Sequence, residues 1–302
     1  MHLKIATRKS ELALWQAQHV ADKLAQLKEV EKVELVPLST RGDDILDRSL
    51  QKIGGKGLFI KELEVAMQAG KADLAVHSMK DVPAEMPTGF CIAALLERAN
   101  PFDALVTHDG SGLDAVPQGG TIGSSSLRRQ AQLKALRPDI DVLPLRGNVN
   151  TRLAKLQLGQ FDAIVLAAAG LERLGKAEQI AEQFKSEHML PAAAQGVVGI
   201  ECLEHREDLR ELLAKLQDRD SSITTAAERA VARELEASCH SPVASYATID
   251  GSTVSLTALV AATDGSQIIR ESGSADASDA EDLGMDVASR LLDHGADALL
   301  NQ

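Results

Sequence analysis

Residues 121–129 read Thr-Ile-Gly-Ser-Ser-Ser-Leu-Arg-Arg, and this pattern carries a short strand directly into a helix. The first turn of the helix is expected at three hydroxyl residues, Ser124, Ser125 and Ser126. A helix N-terminus offers free N–H groups and the positive end of the helix dipole. With the guanidinium groups of Arg128 and Arg129 added, the segment has the composition of a carboxylate or phosphate site. The alternative is a capped helix whose basic first turn is only solvated.

The same alternation of strand and helix extends through the first two-thirds of the chain. Short apolar runs predict strands at residues 3–7, 33–38, 73–77, 120–123, 141–145 and 161–167. Amphipathic spacing predicts helices after Ser10, at 59–68 and at 150–158. This βαβ rhythm predicts mostly parallel sheets covered by helices.

The last third has a different pattern. A helix is predicted at 226–236, and strands at 243–248, 252–262 and 267–271 are separated by Asp-Gly turns. A helix at 279–292 then closes a small antiparallel α+β domain. Chain crossings are expected near 217–221 and at Asn100-Pro101, where a helical pattern is interrupted.

Composition limits the classes of function. The chain has 302 residues, is 44% hydrophobic and carries a net charge of −12, which disfavours a nucleic-acid binder. Three cysteines without CxxC spacing disfavour a disulfide framework and a structural zinc site, and no metal is expected. No apolar run is long enough for a signal segment or a membrane span, so we expect a soluble cytoplasmic protein.

Further arginines follow predicted strands. Arg8 precedes the first helix, Arg146 ends a strand and Arg152 begins a helix. Ligand sites of α/β proteins gather at such strand ends. On an acidic chain, this placement indicates a local cationic site for a polyanionic small molecule.

Residues 73–83 run from an apolar strand into His-Ser-Met-Lys-Asp-Val-Pro. Asp81, next to Lys80, has the chemistry of an acid/base or of a carboxylate that stabilises a developing cation. A surface ion pair at a polar strand end is the alternative. His77 is expected to form hydrogen bonds rather than to bind a metal.

Two further segments carry candidate residues. Lys52 and Lys56 belong to a glycine-rich stretch that lacks nucleotide P-loop spacing, and a flexible loop is predicted there. Cys239 follows a predicted helix, and His240 is expected to favour its thiolate. Cys91 and Cys202 lie in apolar runs and are expected to be buried.

Taken in order, these segments resemble the porphobilinogen deaminase family. The motifs that carry the resemblance are Ile-Ala-Thr-Arg-Lys-Ser at 5–10, Leu-Ala-Leu-Trp-Gln-Ala at 12–17, Thr-Arg-Gly-Asp at 40–43, Gly-Gly-Lys-Gly-Leu-Phe at 54–59, His-Ser-Met-Lys-Asp-Val-Pro at 77–83, Gly-Ser-Ser-Ser-Leu-Arg-Arg at 123–129, Leu-Arg-Gly-Asn-Val at 145–149, Gln-Gly at 195–196, Gly-Ile-Glu at 199–201 and the Cys239 loop. Their order over nearly the whole chain makes the resemblance specific. Ala237-Ser238 replaces the Gly-Gly pair that many relatives have before the cysteine.

The resemblance implies a fold. Domain 1 (residues 1–97 and 197–216) and domain 2 (98–196) are expected to be α/β lobes like those of periplasmic binding proteins. Domain 3 (217–302) is expected to be α+β, with a three-stranded antiparallel sheet and the cofactor cysteine. The resemblance also suggests a monomer.

The implied activity joins four porphobilinogen molecules head to tail into hydroxymethylbilane and releases four ammonias. Growth starts from a dipyrromethane cofactor, which the resemblance attaches to Cys239 through a thioether. Asp81 is the implied catalytic carboxylate. The implied cofactor-binding residues are Lys80, Asp81, Ser124, Ser125, Ser126, Arg128, Arg129, Arg146, Arg152 and Cys239. The implied substrate-binding residues are Arg8, Ser10, Arg146, Arg152 and Arg173.

Two other readings stay open from the residues alone. A solute-binding or effector-binding module has the same two lobes and strand-end arginines, and it needs neither Asp81 nor Cys239. A phosphate-handling enzyme is the second alternative, using residues 124–129 as its anion site. Neither reading explains the ordered set of motifs.

Overall fold

The computed structural model describes residues 1–40, 60–238 and 240–300. The chain divides into two compact units: residues 1–99 with 197–222, and residues 100–196 with 223–302. Lys52, Lys56 and Cys239 lie outside the described residues.

The first unit is an α/β lobe. Its elements are β1 (His2–Arg8), α1 (Glu11–Leu24), β2 (Lys32–Leu38), α2 (Lys61–Gln68), β3 (Leu74–Ser78), β4 (Phe90–Leu95), β10 (Val198–Leu203) and α6 (Glu207–Ala214). The strand order is β2-β1-β3-β10-β4, and β10 alone runs against the other four strands. The strand antiparallel to the rest is therefore the one in which the chain returns to the lobe.

Burial explains why this sheet forms. Leu74 and Val76 of β3 pack with Ala17 and Val20 of α1 on one face, and Ala75 packs under α2 on the other. A sheet covered on both faces needs strands that are apolar throughout, as the run at 74–76 is.

The sheet of the second unit repeats this order. Its elements are β5 (Asp103–Thr107), β6 (Thr121–Gly123), α3 (Leu127–Leu136), β7 (Asp141–Leu143), α4 (Val149–Gln157), β8 (Ala163–Ala167), α5 (Ala168–Arg173) and β9 (Glu182–Gln183). The order is β7-β6-β8-β5-β9, with β5 antiparallel to β8 and β9. Here too the antiparallel strand is the one in which the chain enters.

The C-terminal part is α+β, as the Asp-Gly turns predict. It comprises α7 (Arg219–Glu234), β11 (Val243–Asp250), β12 (Thr253–Ala261), β13 (Ile268–Asp276), α8 (Ala280–Asp293) and α9 (Ala296–Leu300). The strands form an antiparallel sheet in the order β11-β12-β13, and α7 and α8 share its apolar core. The predicted fold class, two periplasmic-binding-protein-like α/β lobes and a three-stranded antiparallel sheet, is confirmed.

The sequence patterns missed part of each lobe. Strands β4, β5 and β10 were not predicted, and the stretch before Asn100 is the strand Phe90–Leu95 rather than a helix. Each of these strands pairs with residues far away in sequence, so local periodicity alone does not identify it. The division of the second unit into domains 2 and 3 stays a prediction.

Candidate functional site

A cavity in the first lobe brings together three of the predicted residues. Arg8, Ser10 and Asp81 line it, along with Gln16, His77 and Ser78. Strands β1 and β3 are parallel neighbours, with Ile5 opposite Leu74, so the segments that follow them leave the sheet at the same end. Sheet pairing thus places a predicted catalytic carboxylate beside a predicted substrate-binding arginine and serine.

The walls of this cavity are held by local hydrogen bonds. Ser10 caps α1, because its Oγ accepts from the backbone N–H of Ala13 at 3.3 Å. The Nε2 of Gln16 donates to the Oγ of Ser78 at 2.8 Å. The helix and the end of β3 are therefore joined next to Asp81.

Asp81 lies in a short 3-10 turn, Met79–Asp81, directly after β3. The N–H of Met79 donates to the carbonyl of Val197 at 3.0 Å. The Met79 side chain lies against Gly199, where an added Cβ would come within 2.1 Å of the Met79 Sδ. Glycine at 199 therefore allows the close packing that fixes the turn carrying Asp81.

A buried pair lies beneath the same turn. The Nε2 of His77 is 2.7 Å from the Oε2 of Glu201, and both side chains are almost fully buried. His77 therefore forms a hydrogen bond, as predicted. Burial raises the pKa of the nearby Glu64, and the charge of Glu201 raises it further. Glu201 belongs to a motif of the family resemblance, but no role was predicted for it, although a lone carboxylate in the apolar run 197–203 is a signal for a buried charge.

The centre of the second lobe is a different buried cluster. Asp103 is inaccessible to solvent and accepts four hydrogen bonds, from Arg128 Nη1, Arg129 Nε, Arg129 Nη2 and Gln195 Nε2, at 2.6–3.0 Å. Arg128 also donates to the Leu190 carbonyl at 2.7 Å, and Arg129 to the Val165 carbonyl at 2.9 Å. The two arginines predicted to bind cofactor are thus buried and bound within their own lobe.

The charges of this cluster do not cancel, since one carboxylate faces two guanidinium groups. Burial disfavours the ionised form of Asp103, but the charges of Arg128 and Arg129 outweigh it and hold the pKa of this carboxyl well below its usual range. This cluster of Asp103, Arg128 and Arg129 therefore carries one positive charge in excess. No sequence pattern predicts a role for Asp103.

The three serines lie where β6 ends. The Oγ of Ser126 accepts from the Arg129 N–H at 3.4 Å and caps α3, as predicted. The Ser125 hydroxyl bonds the backbone of Leu145 at 3.0 Å. Ser124 is buried, and its Oγ accepts from the Ser126 N–H at 3.3 Å. These bonds bring the serines next to the segment that carries Arg146.

Arg146 lies in the loop after β7, and Arg152 lies in the first part of α4. The Arg152 Nε donates to the Gly147 carbonyl at 2.8 Å. Gly147 has a φ of +115°, and an added Cβ would meet Thr151 at 2.6 Å, so only glycine fits this turn. Burial lowers the pKa of Arg146.

Arg173 lies at the end of α5. Its Nη2 donates to the Gly196 carbonyl at 2.7 Å, and burial lowers its pKa. The hydrogen bond ties the helix end to the Gln-Gly motif at 195–196.

The residues on both sides of Cys239 form a compact turn. The Ser238 N–H donates to the Ser241 Oγ at 3.0 Å, and the His240 N–H donates to the Ser238 Oγ at 3.2 Å. The residue in the left-handed region is Glu236, at a φ of 47°, rather than Ala237 or Ser238. The side chains that replace the glycine pair of many relatives therefore meet no such strain.

His240, in this turn, is affected by the charge of Arg146. Burial lowers the pKa of His240, and the charge of Arg146 lowers it further. The expectation that His240 favours a neighbouring thiolate is weakened, because its own cationic form is disfavoured.

Two features are absent from residues 1–40, 60–238 and 240–300. No group of three or more His, Cys, Asp or Glu side chains there is arranged to hold a metal ion. None of the helices there combines the length and apolar character that crossing a bilayer requires.

The fold and these side chains define an α/β protein whose second lobe holds guanidinium and hydroxyl groups at the ends of its strands. Residues 3–211 match the family described as porphobilinogen deaminase, dipyromethane cofactor binding domain, and residues 222–293 match porphobilinogen deaminase, C-terminal domain. The chain belongs to the porphobilinogen deaminase family.

Curated relatives match this chain over nearly its full length. A porphobilinogen deaminase of Stenotrophomonas maltophilia (strain K279a) is 54% identical over 299 residues, covering 99% of both chains. A porphobilinogen deaminase of Xanthomonas axonopodis pv. citri is 52% identical over 298 residues, covering 99% of this chain and 98% of the relative.

Solved structures show more distant likeness. The periplasmic VFT2 domain of Bordetella pertussis BvgS is 16% identical, with a TM-score of 0.44, over 71% of this chain and 86% of that one. An arginine-specific periplasmic binding protein of Salmonella typhimurium is 12% identical, with a TM-score of 0.40, over 73% and 93% of the two chains.

Proposed function

We propose that the protein joins four porphobilinogen molecules head to tail into hydroxymethylbilane, releases four ammonias, and starts from a dipyrromethane cofactor on Cys239. The observation that carries this proposal is the match to porphobilinogen deaminases at 54% identity over 99% of both chains. Full coverage on both sides means that both parts of the family, the cofactor binding domain and the C-terminal domain, are present.

The residues around the cofactor position fit such a group. Dipyrromethane carries acetate and propionate side chains, and the second unit offers hydroxyl and guanidinium donors to bind them. His240 follows Cys239 in the chain and lies within the electrostatic reach of Arg146. The proposed cofactor-binding residues are Lys80, Asp81, Ser124, Ser125, Ser126, Arg128, Arg129, Arg146 and Arg152. When bound, the cofactor supplies the pyrrole carbon to which the first substrate unit is joined.

Asp81 is the proposed catalytic residue. Loss of ammonia leaves positive charge on the substrate pyrrole, and a fixed carboxylate stabilises that charge more than it stabilises the neutral ground state. The 3-10 turn, held through Met79 and Gly199, keeps the carboxylate in place before charge develops. Arg8, Ser10, Arg146, Arg152 and Arg173 are the proposed substrate-binding residues, and Lys52 and Lys56 are assigned to a loop near the substrate.

The proposal also includes a cytoplasmic monomer and the three-domain division at residues 97/98, 196/197 and 216/217. Light scattering of the purified protein is expected to give a mass near that of one chain, 32.1 kDa. A dimer mass would contradict the monomer without bearing on the reaction.

The test of the reaction is the intact mass of the purified protein, followed by tryptic mapping. We expect an added mass of two porphobilinogen units less their ammonias, on the peptide 234–270 that contains Cys239. Cys239→Ala should carry no covalent pyrrole. An unmodified wild-type chain that also gains no mass after incubation with porphobilinogen would contradict the proposal.

A further inference from the structure

Two cysteines outside the proposed catalytic machinery lie directly opposite each other. Cys91 on β4 and Cys202 on β10 are paired in the antiparallel register, and their sulfurs are 3.9 Å apart. Directly opposed residues of antiparallel strands have Cα atoms about 4.5–5.5 Å apart. A disulfide accepts Cα separations of about 4.4–6.8 Å, so rotation of the two side chains is enough to join them.

The two thiols differ in access to solvent. Cys91 is partly exposed, contrary to the sequence expectation, whereas Cys202 is fully buried, as expected. Burial raises the pKa of the Cys202 thiol to about 12, with the Cys91 thiol adding to the rise and the charges of Arg210 and Arg206 opposing it. A dissolved oxidant therefore meets Cys91 first, and Cys202 stays a thiol within reach of it.

We propose that Cys91 and Cys202 form a modification site, a dithiol that hydrogen peroxide or a small organic hydroperoxide converts into an intramolecular disulfide. This inference does not rest on the proposed function, since neither cysteine belongs to the proposed machinery.

The chemistry takes two steps. The Cys91 thiolate attacks one peroxide oxygen, the O–O bond breaks, and the departing hydroxide takes up a proton as water, which leaves a sulfenic acid. The Cys202 sulfur then attacks the Cys91 sulfur, the S–O bond breaks, and the hydroxyl leaves as water with the proton of Cys202. Two thiols and one hydrogen peroxide give one disulfide and two waters, and an organic hydroperoxide releases its alcohol in place of the first water. In both cases two electrons pass from sulfur to oxygen.

The position of the bond gives it a measurable consequence. Strand β4 is the last strand before the chain leaves the first unit, and β10 is the first strand after it returns. A bond between them closes one covalent loop around the whole of residues 100–196. Closing a loop restricts the unfolded chain, so oxidation should raise the midpoint of thermal unfolding, and a thiol reductant should reverse the rise.

The test treats the purified, cofactor-loaded protein with hydrogen peroxide under native conditions, blocks remaining thiols, and digests it with trypsin without reductant. We expect peptides 81–98 and 186–206 to be linked, with a mass about 2 Da below the sum of the reduced pair. Cys239 falls in a separate peptide, 234–270, so the state of the cofactor cysteine is read independently. Both cysteines blocked singly, or a link to peptide 234–270 instead, would overturn the proposal.

Two matched variants test the assigned order of reaction. Cys202→Ser should leave Cys91 as a sulfenic acid that a 1,3-dione traps, with no linked peptide and no rise in the unfolding midpoint. Cys91→Ser should leave Cys202 reduced at the same peroxide dose. Equal oxidation of Cys202 in the Cys91→Ser protein would contradict the role given to Cys91.

Discussion

The two α/β lobes share a strand order, and each buries one carboxylate on its single antiparallel strand, yet the partners of that carboxylate differ. Glu201 on β10 faces the imidazole of His77, whereas Asp103 on β5 faces two guanidinium groups. Asp103 has a donor on both oxygens, whereas the Oε1 of Glu201 has no hydrogen-bond partner in the described part of the chain.

The difference shows that the same strand order can bury an excess of positive charge in one lobe and a carboxylate beside an imidazole in the other. The cluster around Asp103 carries one guanidinium charge in excess, which suits the carboxylates of an anionic ligand. The lobe with Glu201 combines a buried carboxylate with Asp81, which suits positive charge developing on a substrate. This contrast supports the proposal that the second lobe binds the cofactor carboxylates and that the first lobe stabilises the positive charge on the substrate.

Removing Asp103 should have the largest effect, because it leaves two buried guanidinium groups without a counter-charge. We expect Asp103→Ala to lower the free energy of unfolding by about 3–5 kcal/mol in urea titrations followed by circular dichroism. Asp141→Ala, at an exposed aspartate of the same lobe, is the control and should change it by less than about 0.5 kcal/mol. Equal effects of the two variants would show that the cluster is not held by charge.

The contribution of Asp103 also has a defined pH window. Its folded pKa lies below its unfolded value of about 3.9, so the stabilisation is fully present above that pH and lost as the pH falls further. The difference between wild type and Asp103→Asn should therefore be constant from about pH 7 to about pH 4 and shrink below. A difference that already declines between about pH 6 and pH 5 would contradict this assignment.

Asp81→Asn tests the proposed role of the first lobe in stabilising positive charge on the substrate. It removes the negative charge with little change of shape, and we expect a loss of roughly 10²-fold or more in turnover of porphobilinogen. Fold and bound cofactor should be unchanged, as measured by circular dichroism and intact mass. A folded, cofactor-loaded Asn variant with near-normal turnover would remove Asp81 from the proposed role.

Glu201→Gln should lower the free energy of unfolding less than Asp103→Ala does. The amide fills the same space and its oxygen can still bond His77, but its NH2 group then occupies the position of the unpaired Oε1 and is itself buried without a partner among the described residues. We expect the free energy of unfolding to fall by no more than about 1–3 kcal/mol. Fluorescence of Trp15, the one tryptophan and part of α1, measures unfolding of this lobe. A loss as large as that of Asp103→Ala would mean that the two buried carboxylates are equivalent.

Arg146→Gln should affect ligand binding alone. Arg146 is only partly buried and lies outside the Asp103 cluster, so its loss should change the free energy of unfolding by less than about 0.5 kcal/mol. Cofactor loading of apoprotein at limiting porphobilinogen should fall about tenfold, as expected for one charge-assisted hydrogen bond. Arg219→Gln, at an exposed arginine, is the control for total charge. Unchanged loading in Arg146→Gln would contradict the proposed contact.

Arg129 is less suitable than Arg146 for testing anion binding by substitution. Its guanidinium binds Asp103 and the Val165 carbonyl, so substitution should disturb folding as well as anion binding. Arg146 is therefore the better position at which to separate the two effects.

Sequence alone determined the elements whose signals are local. Ser10 and Ser126 precede helices and cap them, the apolar runs at 74–76 and 163–167 form buried strands, and the ordered motifs identify the family. Each of these signals is complete within a few neighbouring residues, because capping, periodicity and turn chemistry act over that range.

Only the tertiary structure decided which buried charges meet. His77 and Glu201 are 124 positions apart, and Asp103 and Arg129 are 26 apart, so no local pattern pairs them. Cys91 and Cys202 face each other across 111 positions for the same reason. In each lobe the antiparallel strand belongs to the segment that crosses between units, and its partners are fixed by the burial of the whole sheet rather than by its own residues.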